Sequence, residues 1–202
     1  NQITPENIGK WKETEPVRDQ MDWTALDAMF DYAENKGYRV KQHTFVWGIQ
    51  EPSWISGLSA TEQREEVEEW IRLFGERYGN RVHMIDVVNE PLHQKPSYKN
   101  AIGGDNGLYG TGWDWVIWTF EKARQYCPGA KLLLNDFDLL KYSTATNTFT
   151  NIVNLLKARG LIDGIGEQGH FLEGTSKTTI QNNLNKLTAT GLDVYISELD
   201  FS

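Results

Sequence analysis

Six short apolar runs, with a stretch of helical periodicity between each and the next, recur along the chain at intervals of roughly 30–45 residues, the alternation of a parallel α/β fold. The runs fall at 2–4, 39–47, 82–88, 131–135, 163–168 and 193–198. Between them, residues 23–35, 61–78, 113–126, 146–159 and 176–188 place apolar side chains three and four apart, as a helix packed on a sheet requires. In the first helix that face is Leu26, Met29, Phe30 and Ala33. Gly37, Gly79, Gly160 and Gly191 follow helical stretches, where a left-handed residue ends a helix without strain. Thr61, followed by Gln63 and Glu65, reads as an N-cap ahead of an acidic first turn. Two closures suit the pattern: an open doubly wound sheet, or an eight-stranded barrel.

The polar residues favour the barrel. At the end of one apolar run after another stand groups able to hydrogen-bond or ionise: His43 and Trp47, Asn89 and Glu90, Asn135 and Asp136, Gln168 and His170, Glu198 and Asp200. Polar groups gathered at the carboxyl ends of parallel strands mark the active face of a (β/α)8 barrel. The chain's 202 residues suit one domain with one core.

Composition removes several classes. A net charge of −8 leaves no basic surface for phosphates, so nucleic acid is not an expected partner. No run of about 18 apolar residues exists to span a membrane, and NQITPENIGKW has no signal-peptide layout. Neither GxGxxG nor a Walker A sequence occurs. The glycine-rich stretch 103–112 (GGDNGLYGTG) lacks a lysine and reads as a long loop over a site. Cys127 is the only cysteine, so no intrachain disulfide forms, and nothing around it suggests a reactive thiol. No close histidine pair or HExxH points to a metal, and no cofactor is expected. Eight tryptophans are a rich supply. Trp11, Trp54, Trp113, Trp115 and Trp118 read as packing residues rather than sugar platforms.

Glu90 (DVVNEP) and Glu198 (VYISELD) each end an apolar strand. Two carboxyl groups facing one cleft are the minimum machinery of glycoside hydrolysis, one protonated to donate to the leaving oxygen and one ionised to attack. Asn89 is placed to bond a sugar 2-hydroxyl. Alternation along extended strands pairs Gln168 with His170 and Glu198 with Asp200, so His170 would lie between two carboxylates. Taken singly, these residues have plainer readings. Asn135 and Asp136 suit a turn cap, a lone histidine suits a satisfied structural role, and Lys10 suits a solvated surface.

At these positions the sequence resembles glycoside hydrolase family 10, the endo-β-1,4-xylanases. Six segments match in order: TPENIGKW (4–11), HTFVWGIQEPSW (43–54), DVVNEP (86–91), LLLNDF (132–137), GIGEQGHF (164–171) and VYISELD (194–200). The resemblance implies a (β/α)8 barrel of which strands 2 to 7 are present, the whole chain, 1–202, being part of the catalytic domain. It implies Glu90 as acid/base and Glu198 as nucleophile, with Asp200 supporting His170 and Asn135 supporting the site. Glu6, Asn7 and Lys10 match residues on the non-reducing side of the cut, and His43, Trp47, Asn89, Gln168 and His170 match those around the cleaved sugar.

Two positions depart from the family, which often has His at Gly48 and Tyr at Phe137. The first and eighth strands, and two tryptophans after the nucleophile, would lie outside this chain, so a further segment is expected to complete the barrel. The implied reaction is retaining hydrolysis of internal xylan bonds, with the carboxyl groups about 5–5.5 Å apart, by a secreted enzyme. A β-1,4-glucanase on the same barrel, a xylan-binding but inactive fragment, and a purely structural fragment are the alternatives.

Overall fold

The structure, a computed structural model, describes residues 1–200. In chain order the elements are β1 (Gln2–Ile3), α1 (Trp11–Thr14), α2 (Thr24–Lys36), β2 (Arg39–Val46), α3 (Ala60–Tyr78), β3 (Met84–Asn89) and α4 (Asp114–Tyr126). Then come β4 (Lys131–Asp136), α5 (Ser143–Lys157), β5 (Gly164–Glu167), α6 (Lys177–Thr188) and β6 (Asp193–Ile196), with a single 3-10 turn at Ile55–Gly57.

The six strands form one sheet in sequence order, β1-β2-β3-β4-β5-β6, and every neighbouring pair is parallel. A doubly wound sheet reverses its strand order part-way; here nothing reverses, so the sheet is a run of consecutive barrel strands. All their carboxyl ends point the same way. Register shifts occur between His43 and Val46 on β2 and between Asp86 and Val88 on β3, just before the residues that form the site.

The helices pack on the sheet through an aromatic layer. Trp70 stacks between Trp11 at 6.4 Å and Trp23 at 5.9 Å, while Phe30 stacks on Tyr78 at 4.2 Å. Phe45 of β2 meets Trp70 and Phe74 edge-on. Buried rings of this size contribute more than any other side chains, about 0.5–1.5 kcal/mol per well-formed pair beyond simple burial. Two of the indole N–H groups are satisfied within this layer: Trp70 Nε1 donates to the Phe45 carbonyl at 3.1 Å, and Trp11 Nε1 to Glu15 Oε2 at 2.7 Å. Trp11, Trp115 and Trp118 are buried, Trp54 donates to the Glu15 carbonyl, and Trp113 packs half-buried against the core.

Two local expectations are corrected. Helix α3 is capped by Ser59, not Thr61: the Ser59 hydroxyl accepts from the Glu62 N–H while Glu62 reaches back to the Ser59 N–H, a reciprocal capping box. Thr61 already lies inside the first turn. Gly37, Gly160 and Gly191 have φ near +65° to +77° as expected, but Gly79 continues the right-handed helix at φ −57°. A Cβ there would meet the Gly75 carbonyl oxygen, so crowding rather than handedness calls for glycine.

Candidate active site

The site is assembled at the carboxyl ends of β1 to β6. Glu90 directly follows β3 in the left-handed region, φ 55°, an uncommon conformation for a residue with a side chain and one that clusters at functional sites. Its N–H donates to the Asn135 carbonyl at 2.7 Å, which turns the chain out of the sheet and fixes the carboxylate over it. That carboxylate is nearly buried. Oε2 accepts Trp47 Nε1 at 2.9 Å, and Oε1 accepts Gln168 Nε2 at 3.0 Å and Asn89 Nδ2 at 3.2 Å.

Glu198 lies just past β6, its N–H donating to the Gln168 carbonyl at 3.0 Å. Oε1 accepts Asn135 Nδ2 at 3.0 Å, and Oε2 lies 3.3 Å from His170 Nε2. The same Asn135 amide donates to Asn89 Oδ1 at 2.8 Å. One amide network, Asn89–Asn135–Gln168, therefore joins the two carboxylates. Ser197 Oγ donates to Asn135 Oδ1 at 2.8 Å and sets which end of that amide is the donor. A Cβ at Gly166 would collide with Asn135 Oδ1, which makes glycine necessary on the neighbouring strand.

His170 stands between Glu198 and Asp200, with Nδ1 2.9 Å from Asp200 Oδ2. Burial lowers the affinity of its ring for a proton, but the hydrogen bonds to Asp200 and Glu198 outweigh that and raise the pKa above its ordinary value. At the other wall, His43 Nδ1 and Lys41 Nζ contact Asp86 Oδ2 at 2.8 and 2.7 Å. Burial pushes the Asp86 carboxyl up, yet these two neighbours hold it below the usual carboxylate range. Lys10 Nζ lies 4.8 Å from the centre of the Trp47 ring and 3.3 Å from Asn7 Oδ1. Burial lowers its pKa, opposed by Glu198, Glu6 and Glu90.

Between these walls opens a cleft of about 370 Å³ lined by Thr4, Pro5, Glu6, Lys10, Lys41, His43, Trp47, Asn89, Glu90, His170, Ser197 and Glu198. Asn7 sits at its rim, accepting also from Gln50; Gln168 and Asn135 lie beneath its floor. Asp136 faces away from the cleft, accepting the Leu92 and Phe137 N–H groups and bonding His93. Two carboxyl groups in one partly enclosed cleft, fixed by a shared network and flanked by cations and an indole, can protonate one side of a bond while attacking the other.

The sequence pattern of glycosyl hydrolase family 10 matches residues 1–202. The chain belongs to this family. Among curated relatives it is 41% identical to endo-1,4-beta-xylanase B of Cellvibrio japonicus over 99% of this chain and 32% of that protein. It is 33% identical to endo-1,4-beta-xylanase A of Phanerodontia chrysosporium over 98% of this chain and 48% of that protein. Among solved structures, the family 10 protein of Paenibacillus barcinonensis superposes with a TM-score of 0.89 at 26% identity, covering 99% of this chain and 62% of that one. Native xylanase 10B of Thermotoga maritima gives 0.85 at 29% identity, covering 99% and 62%. The chain thus spans a third to a half of these curated relatives and about three fifths of these solved chains.

Some features of this family 10 chain were not read from its sequence. Lys41, Asp86, Ser197 and His93 belong to the site or its support; the alternation of Lys41 with His43 was the available signal for the first two. The glycine-rich loop 103–112 does not line the cleft. It folds around the start of α4, where the N–H groups of Leu108, Tyr109, Gly110 and Thr111 all bond the Asp114 carboxylate. Burial raises that carboxyl, but the Thr111 hydroxyl and these N–H groups hold it far below the carboxylate range; the loop's anion is its own aspartate. Cys127 is buried and pushed up to about 12, so its thiol stays protonated. Among the described residues, Glu15, Asp19 and Glu66 bring carboxylate oxygens within 4.8 Å of one another, away from the cleft. Glu15 bonds the Trp11 indole and the Asp19 N–H, and Glu66 bonds Arg18.

Gly48 and Phe137 also find their reasons. A Cβ at Gly48 would meet the carbonyl oxygens of Gln94 and Lys95, so this chain draws the 90–95 turn against the β2 end where a larger residue would hold it off. Phe137 stacks on His93 at 3.9 Å, making an apolar wall without a hydroxyl.

Proposed function

We propose that this chain carries the catalytic face of an endo-1,4-β-xylanase that cleaves internal xylan bonds with net retention. Glu90 protonates the leaving oxygen while Glu198 attacks the anomeric carbon, forming a covalent glycosyl-enzyme; water activated by Glu90 then releases it. The observation that supports this most is the single amide network holding both carboxylates in one cleft. The surroundings of the two differ. Glu90 is the more enclosed and Glu198 has His170 beside it, an asymmetry in keeping with two different roles.

In this reading Asn89 bonds the sugar 2-hydroxyl; with it, His43, Trp47, Gln168 and His170 surround the sugar being cleaved, and Glu6, Asn7 and Lys10 hold the sugar on the non-reducing side. Asp200 keeps His170 oriented, and Asn135 keeps the network's polarity. Xylan is the partner. A further segment carrying the remaining strands completes the barrel, in keeping with the share of the solved relatives that this chain spans. Among the described residues no helix is long and apolar enough to cross a membrane, and a polymeric substrate places the enzyme outside the cell.

The test is reducing-sugar release from xylan, compared with carboxymethylcellulose. The expected result is release from xylan, little from the glucan, and a loss on the order of 10⁴-fold or more for Glu198→Ala. Full turnover by Glu198→Ala would overturn the assignment, and preference for the glucan would overturn the substrate.

A further inference from the structure

Behind the active face lie two buried carboxyl groups with unequal partners. Asp136 and Glu167 are register partners on β4 and β5, and both are fully buried. Side chains alternate along a strand: Gly166 and Gln168 face the site, so Glu167 points to the side covered by helices. Asp136 accepts two backbone N–H groups, at 3.0 and 2.9 Å, and bonds His93 Nδ1 at 2.7 Å. Neither oxygen of Glu167 has a partner at full hydrogen-bond geometry, and the nearby N–H groups of Gly169 and Leu140 offset only part of the effect of its burial.

Burial disfavours the charged form of a carboxyl group, and two adjacent carboxylates disfavour it further. The proton of this pair belongs on the member with the weaker donors, Glu167. We propose that Glu167 is a neutral, protonated positioning residue whose uncharged state keeps Gln168 and Ser197 in place against Glu90 and Glu198. The inference rests on the glycosidase reading of those two glutamates. Its backbone connections are direct. The Glu167 carbonyl accepts the Ser197 N–H at 2.8 Å, and the next residue, Gln168, accepts the Glu198 N–H at 3.0 Å while its side chain donates to Glu90.

The groups around Glu167 reinforce the point. From β4 and the segment after it come Asp136 and Asp138, both acidic; His93 is engaged by Asp136 at 2.7 Å and lies 3.7 Å from Asp138. Thr146 of α5 and Asn183 of α6, which bond the Leu139 and Leu140 carbonyls, are neutral. On β6 the register partner is Ile196, and Lys141 lies out over Tyr142. Burial, with Asp136 and Asp138 adding to it, pushes the Glu167 carboxyl up to about 7. As pH rises through that value, a second charge appears beside Asp136 and is relieved only by admitting water or shifting the chain after β5. That chain carries Gly169 and Phe171 at positive φ, and moving it withdraws the Gln168 amide from Glu90.

The experiment is a pH series on Glu167→Gln, with Glu167→Met as a second neutral variant. Two readouts are taken: the pH profile of kcat on xylan and the melting temperature. Glu167 binds its proton more tightly folded than unfolded, so the parent chain loses stability as pH rises from 4.5 to about 7 and holds level above. Both variants are expected to lack that loss. The part of the alkaline fall in kcat that Glu167 causes is expected to vanish in both, leaving only the limb imposed by the general acid, with rates at pH 6 within about two-fold of the parent and KM unchanged. An alkaline limb and melting slope identical to the parent's would overturn the proposal. Absence of xylan turnover at every pH with the completing segment present would instead overturn the glycosidase reading, while the melting series would still decide where Glu167 titrates.

Discussion

Gly166 has no side chain because Asn135 occupies the space, and Asn135 is the amide that both halves of the site share. Gly166→Ala is therefore expected to push Asn135 aside and lower kcat by about 10²-fold, the usual cost of displacing a catalytic group by an ångström. Unchanged kcat would show the network to be slack. His170 yields a second prediction. Its proton is held more tightly in the folded chain, so its contacts with Glu198 and Asp200 contribute stability fully below 6.5, lost as pH rises through the raised folded value. NMR titration of the imidazole should give a pKa above 6.5, falling in Asp200→Asn. A variant that titrates like the parent would mean Asp200 does not orient the ring. Glu90, Glu198, His43 and His170 were legible in sequence because each stands where an apolar run gives way to polar residues, whereas Glu167 was hidden inside such a run. Ser197 and Gly166 were not legible either, since a small residue announces nothing about the neighbour that requires it.

At the scale of elements, Trp11 shows how a short piece of structure holds a binding group. Helix α1 is only four residues long and too short to carry a readable period, so sequence reading placed Trp11 in the core but found no helix. Trp11 packs between Trp54, Trp70 and Tyr98 and anchors the turn that presents Lys10 to the Trp47 ring. Trp11→Ala is expected to cost about 3–5 kcal/mol of stability and to weaken xylo-oligosaccharide binding as Lys10 loses its support. Denaturant midpoints and calorimetric titration check the two parts separately; a loss below 1 kcal/mol would contradict the packing account. The longer elements were found within a few residues. Their ends moved because caps depend on one side chain's hydrogen bond, as at Ser59, and not on periodicity.

For the whole molecule, the order of strands decides the architecture and the ends of those strands decide the chemistry. Strict sequential order could not be read from alternation alone, which also allows a doubly wound sheet; the line of polar strand ends and the family resemblance built on it favoured the barrel. The central claim is that Glu198 is the nucleophile and Glu90 the acid/base of one retaining site. Azide rescue of the Glu198→Ala variant with an activated aryl β-xylobioside tests it most directly. With the nucleophile removed, azide enters the vacated space and attacks from below, so restored turnover giving an α-xylobiosyl azide is the predicted result. A β-azide from this variant would contradict the account, because it would mean that the nucleophile is still in place and that Glu198 serves as the acid/base.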